Sequence, residues 1–255
     1  MRFIKPLIKS IPFISYYIAG RKLLNDRAYK EALDRERTED GKTPKRTDVI
    51  NLLLSKRVEK TCYLEIGVRN PDDNYNRINA DEKYSVDPGL EFKSNPVDFK
   101  MTSDEFFERL SSGSILSSEI RFDVIFIDGL HLADQVDRDI IHSLKFLKRD
   151  GFVVLHACNP PTEWHSREDY HFLHSPARGN WNGTTWKAFL KWRSNPSVHS
   201  CCIDSDWGIG VLSREHPIGS HMAESNPFFE FRNLAQDRNT LLNLVSFDQF
   251  RKSLT

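Results

Sequence analysis

The chain has no surplus of charge, few cysteines and no unbroken apolar run of membrane-spanning length, and each shortfall removes a class of protein. Lysine plus arginine and aspartate plus glutamate number 36 each, so no overall basicity points to a nucleic-acid partner. The four cysteines, Cys62, Cys158, Cys201 and Cys202, form no Cys-x-x-Cys pair and no dense disulfide framework. Cys62 and Cys158 fall in apolar runs, so reduced core thiols of a cytoplasmic protein are expected in preference to a zinc site. The apolar stretch at residues 3–20 is interrupted by Lys5, Pro6, Lys9 and Pro12 and is too short to cross a bilayer. It lacks the small-residue cleavage site of a signal peptide. Two readings stay open for it: packing on the domain or on a second copy of the chain, which is favoured, or a basic amphipathic segment lying peripherally on a membrane.

What is present is an alternation of apolar runs and helical patterns. A chain of 255 residues suits one α/β domain with additions at its ends, and it can bury a sizeable core. The organising stretch is 122–158. It opens with FDVIFIDGLH, where an apolar run closes on Asp128, Gly129 and His131. A helical stripe of Val136, Ile140, Leu144 and Leu147 follows, and GFVVLHAC closes on His156, Ala157 and Cys158. Continuous apolar runs separated by a helix fit parallel strands buried on both faces. In such sheets ligands bind beyond the carboxyl ends of the strands, and that rim would carry Asp128, His131 and His156.

The remaining elements are read in order. Residues 21–37 suit a charged helix, 38–46 a polar linker, and Thr47 the cap of a short helix at 48–56. CYLEIGV (62–68) is the first strand, and Asp72 or Asp73 would cap a helix after it. KYSVDPG (83–89) is the second strand and VDFK (97–100) the third, followed by Thr102 and Glu105 at capping-box spacing. The irregular stretch 159–183 carries histidines and tryptophans that argue for a functional loop over plain disorder. A helix is expected at 185–193, an antiparallel strand pair at 199–204 and 208–214 joined by Ser205, Asp206 and Trp207, and helix over 228–254. This divides the chain into a helical and apolar extension (1–46), a central domain (47–215) and a C-terminal helical extension (216–255).

Glu65-x-Gly67 after the first strand, with Asp87 at the end of the second, has the logic of a nucleotide site. The glycine lets backbone approach a ligand, and the acid accepts hydrogen bonds from ribose hydroxyls. The loop lacks the full glycine pattern, and an ordinary strand–turn–helix accounts for it equally.

Taken together, LEIGVRNPDDNYNRI, KYSVDPG, MTSDEFF, DVIFIDGLH and VVLHACNPPTEWH resemble class I S-adenosylmethionine-dependent methyltransferases. More narrowly, they resemble the metal-dependent sugar O-methyltransferases of bacterial macrolide and cell-surface glycan pathways, over residues 47–213. The resemblance implies a Rossmann-like seven-stranded sheet with an antiparallel last strand and helices on both faces. It implies that Glu65, Gly67 and Asp128 shape the S-adenosylmethionine pocket, that Asp87 holds the ribose, and that Ser103 or Asp104 lies near the adenine. Asp128 would also bind a divalent cation, Mg²⁺, and His131 would be the general base on a sugar hydroxyl. A dication stabilises the developing alkoxide while an imidazole takes its proton. A helix-capping Asp128 and a surface His131 remain the alternatives.

The sequence departs from that family where an acid usually follows the fifth strand, for here stand His156 and Ala157. Ala157 cannot bind a metal and Mg²⁺ prefers oxygen, which leaves His156 beside Asp128 at the metal position. A disabled site is favoured over a metal held by Asp128 with other ligands, or no metal at all. Glu163, Trp164, His165, Trp181, Asn182 and Lys187 are expected on the acceptor side, with tryptophan stacking on a sugar face and Lys187 neutralising an anion. Packing of a lid is the other reading of these residues.

Overall fold

The computed structural model describes residues 12–92, 94, 96–222 and 226–254. Its apolar runs become the strands β1 (Cys62–Ile66), β2 (Glu82–Val86), β3 (Phe122–Ile127), β4 (Leu147–Leu155), β5 (His199–Ile203), β6 (Ile209–Ser213) and β7 (Leu244–Val245). They form one sheet in the order β2-β1-β3-β4-β6-β5-β7. β2, β1, β3 and β4 run parallel, and β6 lies antiparallel between β4 and β5. All residues of β1 and β3 are buried, as expected of parallel strands covered on both faces.

The helices are α1 (Pro12–Asn25), α2 (Arg27–Gly41), α3 (Arg46–Ser55), α4 (Ser103–Ser111), α5 (Ala133–Phe146), α6 (Thr185–Arg193), α7 (Phe231–Gln236), α8 (Arg238–Leu242) and α9 (Phe247–Ser253). Side chains alternate across a strand, so each strand feeds two cores. Ile125, Ile127, Val153 and Leu155 pack with Phe106, Phe107, Val136 and Ile140 of α4 and α5. Val124, Phe126, Phe152 and Val154 pack with Val49, Ile50 and Leu53 of α3 and with Phe250 of α9. The four cysteines are free and buried, and burial pushes the Cys62 thiol up to about 12.

The structure differs from the sequence reading at several joints. The expected strand at 97–100 shrinks to a single parallel bridge from Val86 to Phe99. Asp98 there turns its carboxylate onto the Ser85 amide and hydroxyl, at 2.9 and 2.7 Å. The seventh strand comes instead from the tail expected to be helical, where Asn243 adopts φ 45° and redirects the chain out of α8. No α-helix follows β1. Two 3₁₀ turns, Pro71–Asp73 and Tyr75–Arg77, take its place, and the cap is Asn70 rather than Asp72 or Asp73. Thr47 lies inside α3 and donates to Asn74 Oδ1 at 2.7 Å, while Asp48 accepts from the Lys45 amide at 3.0 Å. Thr102 does cap α4, but Glu105 pairs with Arg109 at 2.6 Å.

Residues 1–11, which include half of the apolar segment 3–20, lie outside the described residues. Within α1, Phe13, Tyr16 and Tyr17 are exposed. No described helix is long and apolar enough to cross a membrane. α2 braces the 159–183 loop: Tyr29 donates to the His174 carbonyl and Arg35 to that of Pro161, both at 2.7 Å, and Arg178 pairs with Glu36.

Candidate active site

The site begins with three strand ends drawn level. Ile66 of β1 pairs with Ile127 of β3, which pairs with Leu155 of β4, so Gly67, Asp128 and His156 leave the sheet side by side. The Asp128 amide donates to the Ile66 carbonyl at 2.8 Å. Gly67 has φ +86°, and a Cβ there would lie 2.3 Å from Gly129 Cα. Only glycine allows the two loops to touch. Two cavities, of about 310 and 510 Å³, meet over this contact and share Gly67, Asp128, Gly129 and Trp181 in their walls.

The smaller cavity has apolar walls from Val86, Leu90 and Met101 and a polar end. Ser103 donates to Asp139 Oδ1 at 2.6 Å and Gln135 Nε2 to the same oxygen at 3.0 Å. Burial pushes the Asp139 carboxyl up to about 6. Asp87 stands on the wall, its Oδ1 accepting from the Gly89 amide at 2.6 Å. Asp104 does not join it. That residue is exposed and pairs with Arg138 at 3.3 Å, so the adenine-side expectation narrows to Ser103.

The larger cavity is polar. Glu65 is buried in its wall, and burial pushes its carboxyl up to about 7 against hydrogen bonds from Tyr63 Oη at 2.6 Å and Asn74 Nδ2 at 2.9 Å. Asp128 Oδ1 lies 3.0 Å from His131 Nε2 and 2.9 Å from His156 Nδ1. Its Oδ2 takes the Arg46 guanidinium, whose Nε also donates to Asp206 Oδ2 at 2.8 Å. Burial alone would raise the Asp128 carboxyl. The nearby His156 ring, the Arg46 charge and the hydrogen bond with His131 outweigh it and hold the group well below the usual carboxylate range. Burial, reinforced by Arg46, lowers the His156 ring.

His131 is fixed by the loop that follows Trp181. Its Nδ1 lies 3.1 Å from the Trp181 carbonyl oxygen, and its ring stacks on Trp181 with centroids 5.4 Å apart. The Thr184 amide donates to the His131 carbonyl at 2.7 Å. Gly183, at φ +58°, has no room for a Cβ against that carbonyl. Both imidazole nitrogens therefore face acceptors, and a neutral ring can donate to only one of them.

The expected acceptor residues separate. Trp181 lines both cavities, and Asn182 is buried behind it, donating to the Trp207 carbonyl at 3.1 Å. His165 is not a ligand-facing residue: it is fully buried, 2.8 Å from Thr162 Oγ1 and 3.4 Å from Glu36 Oε1. Burial lowers its ring to about 4, and it ties the loop to α2. Glu163, Trp164 and Lys187 line a different hollow, of about 600 Å³, with Phe172 and Phe228. The residues missed from sequence are Arg46, Asp206, Asn74 and Tyr170, all in the larger cavity wall. Arg46 sat in a polar linker and Asp206 in a hairpin turn, where nothing local marks a residue that reaches the rim.

Asp128, His131 and His156 each offer a donor atom, all within 4.8 Å of one another. That set supplies two imidazole nitrogens and one carboxylate, whereas Mg²⁺ takes six oxygens in octahedral array. Both Asp128 oxygens are already engaged. The residues present do not fit Mg²⁺.

Residues 65–158 match the family model of a methyltransferase domain, a span that runs from the end of β1 through β4 and holds both glycine loops, Asp128, His131 and His156. No curated protein matches the chain. Among solved structures it is similar to the O-methyltransferase from Bacillus cereus in complex with SAH, at 13% identity and TM-score 0.43, covering 81% of this chain and 99% of that one. It is similar to the SAH-bound methyltransferase PaMTH1 of Podospora anserina, at 14% and 0.43, covering 80% and 97%. It is also similar to SAM-bound CalS10, an amino pentose methyltransferase from Micromonospora echinaspora, at 11% and 0.43, covering 78% and 96%.

Proposed function

We propose that this methyltransferase domain moves the methyl group of S-adenosylmethionine to a hydroxyl of a sugar, in a glycan or a glycosylated metabolite. One observation carries the reading: an apolar slot with Asp87 on its wall and a polar cleft with His131 on its wall meet over the Gly67–Gly129 contact. The slot suits a nucleoside. Met101 and Leu90 offer apolar faces to a base, Gln135 and Ser103 polar partners at its edge, and Asp87 a carboxylate for ribose hydroxyls. Glu65, in the wall of the larger cleft, can balance the ammonium of the methionyl part.

When bound, S-adenosylmethionine supplies a methyl group already activated on a sulfonium; its transfer forms the O–C bond, breaks the C–S bond with the electron pair staying on sulfur, and releases the hydroxyl proton. The protein's work is alignment and removal of that proton. Trp181 and Tyr170 present rings to the cleft while Arg69, Arg77 and Lys45 stand on its walls, a mixture that suits a sugar, with apolar faces and a polar girdle. His131 is the proton acceptor in this reading. The entering hydroxyl takes over Nε2 from Asp128, and the ionised Asp128 favours the imidazolium that results.

Calorimetric titration with S-adenosylhomocysteine, followed by transfer of labelled methyl to a panel of nucleotide sugars and glycan fragments, tests this. Binding with a Kd on the order of micromolar and label on sugar oxygen are expected. Absence of S-adenosylhomocysteine binding would overturn the reading. His131→Ala should abolish transfer and leave that binding within about twofold of wild type, since His131 does not line the nucleoside slot.

A further inference from the structure

We propose that Arg46 is the resident cation of the acceptor site, standing where a divalent ion would have to sit and making the site indifferent to divalent metals. The inference rests on the cleft being the methyl-transfer site. Its basis is the arrangement around one guanidinium. Nη1 donates to Asp128 Oδ2, Nε donates to Asp206 Oδ2 at 2.8 Å, and the Arg46 backbone amide donates to that same Asp206 oxygen at 3.0 Å. Main chain and side chain of one residue thus converge on the two carboxylates nearest the His131–His156 pair, holding the start of α3 over the strand ends. Asp206 is buried, and Arg46 keeps only a quarter of its side chain exposed, in the wall that also carries His131 and Trp181.

Two carboxylates, Asp128 and Asp206, flank the one guanidinium. A dication could reach Asp128 Oδ2 only by displacing the guanidinium already bound there. A guanidinium does not deprotonate in proteins, so the position is filled at every working pH. Ala157, where an acidic ligand would be needed for a metal, is buried with φ +63°. Position 157 thus offers no carboxylate, while Arg46 brings a cation to the same rim. Among the described residues Arg46 Nη2 has no hydrogen-bond partner. It remains available to donate to the acceptor oxygen as negative charge develops there, the service a metal would otherwise perform.

Titration of wild type and of Arg46→Met and Arg46→Lys with MgCl₂, MnCl₂ and ZnCl₂, each with and without S-adenosylhomocysteine, separates this proposal from the one it rests on. Wild type and Arg46→Lys should show no stoichiometric binding of Mg²⁺ or Mn²⁺, while Arg46→Met should bind Mn²⁺ on the order of a hundredfold more tightly than wild type. Stoichiometric Mg²⁺ or Mn²⁺ binding by wild type would overturn the proposal, as would equal metal affinity in wild type and a folded Arg46→Met. If Arg46→Met does not fold, by circular dichroism and loss of S-adenosylhomocysteine binding, the wild-type and Arg46→Lys titrations decide alone. Loss of S-adenosylhomocysteine binding by wild type would instead sink the methyltransferase reading.

Discussion

Glu65 shows how a single buried carboxyl can report on a ligand. Burial pushes it up to about 7 from the usual 4.5. The folded chain therefore keeps a proton that the unfolded chain has released, and the associated stability is full below pH 4.5 and lost as pH rises through about 7. Glu65→Gln escapes that loss while still accepting from Tyr63 and Asn74. It should be more stable than wild type at pH 8 by up to roughly 3 kcal/mol, and urea denaturation at pH 5 and pH 8 should show the gap at pH 8 alone. An ammonium placed beside Glu65 favours its ionised form, so S-adenosylhomocysteine should release part of a proton at pH 6.5. Binding heats that vary with buffer ionisation enthalpy in wild type, and do not in Glu65→Gln, are the expected result.

Among the elements, the contact between the loops after β1 and β3 is the least tolerant of change. Gly67→Ala would place a methyl group 2.3 Å from Gly129 Cα at φ +86°, a conformation that alone costs a side chain about 1–2 kcal/mol. The variant should lose stability by at least that amount and weaken S-adenosylhomocysteine binding by about tenfold or more, measured by thermal unfolding and calorimetry. The neighbouring 159–183 loop is organised from outside the sheet. α2 grips it through Tyr29, Arg35 and the Glu36–Arg178 pair, so His165, read as an acceptor ligand, proves to be an internal brace. Glu163 of that loop and Lys187 of α6 line another hollow instead.

At the scale of the molecule the tail closes the fold. Leu244 and Val245 pair in parallel with Cys202 and Ile203, and Phe250 of α9 is 1% exposed against Val124, Phe126, Val154 and Val211. Phe250→Ala should cost roughly 3–5 kcal/mol in urea unfolding and leave S-adenosylhomocysteine affinity unchanged, because Phe250 lines neither cavity. The N-terminal side acts differently, since Arg46 carries the region before β1 directly into the site.

Sequence by itself located the parallel strands β1 to β4 and the residues at their ends, while it counted 97–100 as a further strand and missed β7. Each of those signals is local: an apolar run ends, and the next polar residue must sit on the rim. That is why Glu65, Gly67, Asp87, Asp128, His131 and His156 were legible. Only tertiary structure decided which residues join them from afar. Arg46 reaches Asp128 across 82 positions and Asp206 across 160, and no periodicity or cap encodes such a meeting. It follows from α3 packing on β3 and from the β5–β6 turn arriving at the same rim, which only the folded sheet brings about.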